Sequence, residues 1–415
     1  MSQLFAGFSR VNITPMLGIF VTGYFKPRYA EGVLDELEIN TLALACGDTK
    51  VLLMSADLCG IKQELSKILA EDICAVTGLP RESVYIHTTH THTGPAMPGR
   101  CCEEAEGELI DEYWQFLRRK FADAAVMALA DLKPAKMGYG IGQAPNIAFF
   151  RRFRMKDGSV RTNPGVDNPD ILHPIGDVDE RVNVLRFDRE GGDTLVLVNF
   201  GDHPDVVGGT KISADWPGFL RKTVEKTLDN TKCIFFNGAQ GDVNHYDRNP
   251  VPGRKKLPRA KIREYMGRRI AGAAMRIWDV CEDVEAGPVK GEVNLMKAPT
   301  NMPSEDEKKW IALFDAGRKN EIPLGHMEML TLTSPTSRAR RFMNGPESID
   351  IPVSTLSVGK TIAFAGFPGE PFVKIGTDVK AASPFRMTMA SCLVNGDRGY
   401  FPSADAFSQG GYEAL

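Results

Sequence analysis

The sequence predicts a layered α/β protein with mixed sheets. Short apolar runs of strand length at 41–46, 51–56, 84–89, 182–187, 194–200 and 233–237 alternate with amphipathic stretches of helical period at 63–76, 108–132 and 216–228. The chain has 415 residues, 43% hydrophobic and 25% charged, an ordinary globular composition long enough to bury a sizeable core.

The elements follow in order. The runs 41–46 and 51–56 are joined by Gly47-Asp48 turn chemistry and read as a pair of buried strands. A helix over 63–76 leads to the strand at 84–89. The helix at 108–132 places Trp114, Leu117, Phe121 and Ala125 on one face. Two strands, a helix and the strand 233–237 come next. After Pro258 a basic helix runs to about 281, and helices are expected at 304–316 and 326–342. Strands at 351–358 and 361–367, a helix from about Pro371 and a strand at 387–394 close the chain. The organisation expected is one domain, 1–415, with a mainly helical insertion at about 255–345. The loop 142–180 is long, rich in Arg, Pro, Asp and Asn, and without periodicity, as functional or mobile loops are.

Several functional classes drop out. A net charge of −3 gives no electrostatic reason to bind nucleic acid or an anionic membrane. The run containing Arg254, Lys255 and Lys256 reads as the solvated start of a helix. No run of about 18 apolar residues is present to span a bilayer. The N-terminus lacks the charged and apolar regions of a secretory signal. Of the eight cysteines, Cys101 and Cys102 are adjacent and no CxxC pair exists. A cytoplasmic protein is expected. The glycines at 138, 140 and 142 lack the GxGxxG spacing of a dinucleotide site.

Chemistry concentrates in the histidines. Of seven, three lie in Tyr85-Ile86-His87-Thr88-Thr89-His90-Thr91-His92-Thr93-Gly94-Pro95. In an extended chain His90 and His92 share a face, at the C-terminal end of a strand, where α/β sheets place ligands. His87 would face the other way and reads as structural. A catalytic zinc takes three or four protein ligands and an open position. With no HExxH motif, further ligands must come from distant segments, and His203, in Gly201-Asp202-His203-Pro204 after an apolar strand, is the best candidate. Asp57, Asp215 and Asp242 read as caps and loop anchors. Glu370 taken alone reads as an acid at a helix N-terminus.

Taken together, the ordered motifs resemble the N-terminal catalytic domain of neutral ceramidases, zinc amidases acting on N-acyl sphingosine. They are Val11-Asn12-Ile13-Thr14-Pro15, Gly23-Tyr24, Thr89-His90-Thr91-His92-Thr93-Gly94-Pro95, Asp202-His203-Pro204, Ile212-Ser213-Ala214-Asp215-Trp216-Pro217-Gly218, Asn237-Gly238-Ala239-Gln240-Gly241-Asp242-Val243, Gly366-Phe367-Pro368-Gly369-Glu370, Gly399-Tyr400 and Gly411-Tyr412-Glu413. The resemblance implies one zinc per chain held by His90, His203, Glu370 and Tyr400. It also implies His92 as general base and Tyr412 on the reacting carbonyl. An arginine from the 150s loop completes the set: Arg151 and Arg152 both fit, with Arg151 preferred.

The chain stops three residues after Tyr412, so the family's immunoglobulin-like C-terminal domain is expected to be missing. A small soluble substrate with an amide-type bond is therefore expected, bound without membrane insertion by a chain that is a possible homo-oligomer. The alternatives are a true ceramidase or N-acyl-lipid amidase, an ester or lactone hydrolase, and a non-catalytic metal-binding protein.

Overall fold

Eight strands pair side by side in the computed structural model, whose described residues are 3–24, 27–99, 107–248, 250, 257–300, 302–319, 321–323, 332, 336, 339–340 and 342–414. In chain order they are β1 (Leu4–Asn12), β2 (Glu38–Cys46), β3 (Thr49–Ala56), β4 (Val84–Thr88), β5 (Lys133–Gln143), β6 (Arg181–Arg189), β7 (Thr194–Phe200) and β8 (Thr231–Asn237). Their order across the sheet is β8-β7-β6-β5-β1-β2-β3-β4, and β9 (Glu282–Val284) also pairs with β5. The β3–β4 and β7–β8 pairs are parallel and the other pairs antiparallel. Each parallel pair needs a crossover, supplied by α1 (Gln63–Thr77) and α3 (Asp215–Thr227).

A second sheet runs β10 (Val289–Pro299), β11 (Ser348–Val358), β12 (Ile362–Gly366), β13 (Met387–Ser391). Its β12–β13 pair is parallel, with a third crossover helix, Val373–Ala382, between the strands.

Strand alternation decides the layers. Leu52, Met54 and Ala56 of β3 pack with Val84 and Ile86 under α1 and α2 (Glu108–Ala130). Val51, Leu53 and Tyr85 point the other way, onto Phe364 and Met389 of the second sheet. At the opposite end of the main sheet Val196, Val198, Phe200 and Phe235 lie under α3 and α4 (Arg259–Arg276), while Leu195, Leu197 and Phe236 face the second sheet. Both faces are buried, which is why these strands read as continuous apolar runs. Trp216 sits fully buried 4.9 Å from the Phe235 ring, a burial of about 2–3 kcal/mol. Ile375 and Val379 of the third crossover helix cover the outer side of the second sheet. The architecture is four layers, helix, sheet, sheet, helix.

β1 and β5 were not expected as strands. Gly138, Gly140 and Gly142 alternate along β5, and a Cβ at Gly142 would lie 2.8 Å from the Ala273 carbonyl oxygen of α4. Gly142 lets α4 approach the sheet closely, and Gly140 lies against Ile277 at the end of that helix. The stretch 255–345, expected to be mainly helical, holds α4 and α5 (Glu305–Arg318) but also β9 and the eleven-residue β10. Cross-strand pairing with β11 outweighs weak local preference there. The expected helix 326–342 falls mostly outside the described residues, as do Cys101, Cys102 and residues 254–256.

No helix among the described residues is long and apolar enough to cross a membrane.

Candidate metal centre

The C-terminal ends of the parallel strands deliver the polar side chains. β4 leads to His90 and His92, β7 to His203, β8 to Asn237 and Gln240, and β12 to Glu370. Such ends are where crossover connections leave room for a site.

His90 and His92 do come together, though not by strand alternation. β4 ends at Thr88, and His90 takes a left-handed backbone conformation with φ 73°. This costs a non-glycine residue roughly 1–3 kcal/mol. It is held there because Thr89 N–H donates to Ala56 O and His90 N–H to Leu58 O, at 2.9 Å each. The turn brings His92 Nε2 to 3.2 Å from His90 Nε2.

Two imidazoles are fixed in one tautomer. His90 Nδ1 lies 2.6 Å from the Cys59 carbonyl oxygen, and His203 Nδ1 lies 2.8 Å from that of Val243. A carbonyl only accepts, so each Nδ1 carries a hydrogen and each Nε2 is left facing inward. Both Nε2 atoms approach Glu370 Oε2, at 3.3 Å from His90 and 3.2 Å from His203. The three ligand atoms lie within 4.8 Å of one another and all three residues are buried. Burial raises the Glu370 carboxyl, but His90 and His203 hold it well below the usual carboxylate range. Two imidazole nitrogens and one carboxylate are a donor set that could hold a metal ion. A second grouping, Cys59, His90 and His92, is also close enough for a metal. It is the poorer site, because the Nδ1 of His90 facing Cys59 is already committed to a carbonyl.

Tyr400 reaches the centre through a two-residue parallel ladder in which Glu370 pairs with Tyr400. Tyr412 lies next to it, with ring centroids 5.7 Å apart, and is 38% exposed. Of the two arginines, Arg151 faces the cluster: its Nη1 is 3.3 Å from His203 Nε2 and its Cζ 5.4 Å from the Tyr400 ring. Arg152 points away, donating to Gly410 O at 2.7 Å and lying over the Phe372 ring. Burial opposes the Arg151 charge, but Tyr400, Glu413 and Glu370 raise it above the ordinary guanidinium value.

Glu413 and Gln240 carry roles the sequence did not disclose. Glu413 is buried; it accepts from Arg151 Nε at 2.7 Å and from Thr162 Oγ1 at 2.6 Å. Gln240 Nε2 donates to Glu370 Oε2 at 3.3 Å. No local signal marks a pair 262 residues apart.

The supporting acids are anchors. Asp57 accepts from both terminal nitrogens of Arg221, at 3.0 and 2.6 Å, and from Thr89. Asp215 binds the Val207 and Trp216 amides. Asp242, rather than Glu370, caps the third crossover helix, taking the Val373 amide at 2.8 Å. His87 lies between Ser55 Oγ and the Asn237 amide, both at 3.0 Å, and burial pushes it down to about 3, so it is a neutral structural residue.

Fold and cluster together define a layered α/β protein with a three-residue candidate metal centre at its strand ends. No protein-family model matches the sequence, and none of the curated proteins does. Among solved structures the chain resembles neutral ceramidase from Pseudomonas aeruginosa, with TM-score 0.75 and 16% identity over 100% of this chain and 71% of that one. It also resembles a ceramidase complexed with C2, with TM-score 0.72 and 16% identity over 100% of this chain and 72% of that one. The likeness read from the ordered motifs therefore holds for the fold across the whole chain.

Proposed function

We propose that this protein is a zinc hydrolase that cleaves an amide-type C–N bond in a small soluble substrate. The observation that carries the proposal is the convergence of His90 Nε2, His203 Nε2 and Glu370 Oε2, with a further imidazole, His92, in contact with the cluster. The ceramidase fold supports the same reading.

His90, His203 and Glu370 would hold the ion, with the Tyr400 hydroxyl as a fourth ligand. When bound, zinc supplies Lewis acidity, polarising a carbonyl and acidifying water towards a pKa of about 7. Burial holds His92 well below the ordinary imidazole value, and its Nε2 stands 3.2 Å from that of His90 at the edge of the cluster. His92 takes the proton of the attacking water and returns it to the leaving nitrogen. The Tyr412 hydroxyl donates to the carbonyl oxygen as negative charge develops on it. Arg151, fixed by Glu413, holds the Tyr400 oxygen in place.

Metal analysis of the purified protein, with His90→Ala and Glu370→Ala beside it, tests the ligand set. About one zinc per chain, lost in both variants, is expected, together with turnover of simple amides by the zinc-loaded wild type. A wild type that takes up no zinc and turns over no amide overturns the proposal.

A further inference from the structure

Arg151 is engaged within the protein: its Nε is paired with the buried Glu413 and its Nη2 donates to Gly241 O at 2.6 Å. The flank of the cluster beside His92 is different. There the Tyr24 ring stands 5.7 Å from the His92 ring, and Arg28 lies 4.3 Å over Tyr24 and donates to the His92 carbonyl at 2.7 Å. Tyr24 O–H donates to Asp205 O at 3.2 Å, and Asp205 Oδ1 lies 2.8 Å from His245 Nδ1. The His245 ring packs 3.9 Å from Tyr246, whose ring in turn carries Arg248 at 4.9 Å.

Among the described residues no carboxylate pairs with Arg28 or Arg248, and Arg259 nearby reaches only the Val206 carbonyl. Asp205 and Asp215 are the acids acting on the tyrosines of this flank, and Asp205 Oδ1 lies 2.8 Å from His245 Nδ1. The Nε atoms of Arg28 and Arg248 and the Nε2 of His245, a residue 5% exposed, are buried without a hydrogen-bond partner. Buried donors of this kind are satisfied by a partner in a working site. The side chains of Tyr24, Arg28, His92, Tyr246 and Arg248 are all partly exposed.

We propose that this flank is an anion subsite, with Arg248 as its principal cation and Arg28 behind it, and that the substrates are amides bearing a carboxylate, such as N-acyl amino acids. The inference rests on the hydrolase reading for its chemistry, but the subsite itself is a matter of binding. A carboxylate suits an unpaired guanidinium through charge-assisted hydrogen bonds.

The test is calorimetric titration of the zinc-loaded full chain with N-hexanoylglycine and with its neutral counterpart, N-hexanoylglycinamide. Wild type is expected to bind the acid about tenfold or more tightly than the amide, the order of one charge-assisted contact. Arg248→Gln should bring the two within about twofold by weakening the acid alone, and Arg248→Lys should keep most of the preference. A preference that survives Arg248→Gln unchanged places its source elsewhere, the metal ion included, and overturns the proposal. Equal binding of acid and amide by wild type also overturns it. Arg248-dependent acid binding without any amide turnover would uphold the subsite and sink the hydrolase reading. Turnover of neutral amides with no acid preference would do the reverse.

Discussion

Glu413→Ala strikes a buried ion pair that ties the C-terminal segment to the centre. The wild-type pair is buried on both sides, with 6% of the Arg151 side chain exposed and none of Glu413, and its Nε–Oε1 distance is 2.7 Å. Removing the carboxylate leaves an unpaired buried guanidinium, which costs about 3–5 kcal/mol. Part of that loss is local, because Tyr412 precedes Glu413 and Gly410 O is held by Arg152. The segment carrying Tyr412 should therefore loosen, and kcat should fall even in molecules that remain folded. Urea unfolding followed by tryptophan fluorescence measures the first effect, and amide turnover well below the unfolding transition measures the second. The double variant Arg151→Met with Glu413→Leu removes both charges, so it should regain much of the stability but none of the activity. A Glu413→Ala protein within about 0.5 kcal/mol of wild type, or a double variant no more stable than the single one, would refute this account.

Other expectations follow from the same geometry. His87 titrates at about 3 in the folded chain against 6.5 when unfolded, so the unfolded chain binds the extra proton first. Stability is then whole above about pH 6.5 and lost as pH falls towards 3, by about 2 kcal/mol at pH 5. His87→Gln should flatten that limb of the stability profile; an unchanged acid slope contradicts the assignment. Gly23 has φ +103°, and a Cβ there would lie 2.6 Å from His92 Cβ. Gly23→Ala should lower turnover while zinc content stays at wild-type level, which metal analysis and kinetics check together. Tyr400→Phe keeps the ring and loses the oxygen, so zinc affinity measured against a chelator should drop by at least about 10–100-fold, the range for losing an outer partner. Undiminished affinity would remove Tyr400 from the ligand set.

The sequence by itself determined the strands that the fold buries on both faces. Residues such as Val51–Ala56 and Thr194–Phe200 are apolar because two layers cover them, and that burial is written directly into composition. It also marked His90, His92 and His203 as the residues to watch, because histidines at strand ends are few and clustered. β1 and β5 stayed hidden, since their neighbours come from segments far away in the chain and the β5 glycines carry no apolar signal. Only the tertiary structure decided that Arg151 rather than Arg152 faces the cluster, because adjacent residues diverge by backbone direction and nothing in their chemistry separates them. It alone revealed that Glu413 neutralises Arg151, and that a left-handed turn at His90, rather than strand alternation, brings the two imidazoles together. Those facts depend on contacts between residues up to 262 positions apart, and local sequence holds no record of a distance that only the packed chain sets.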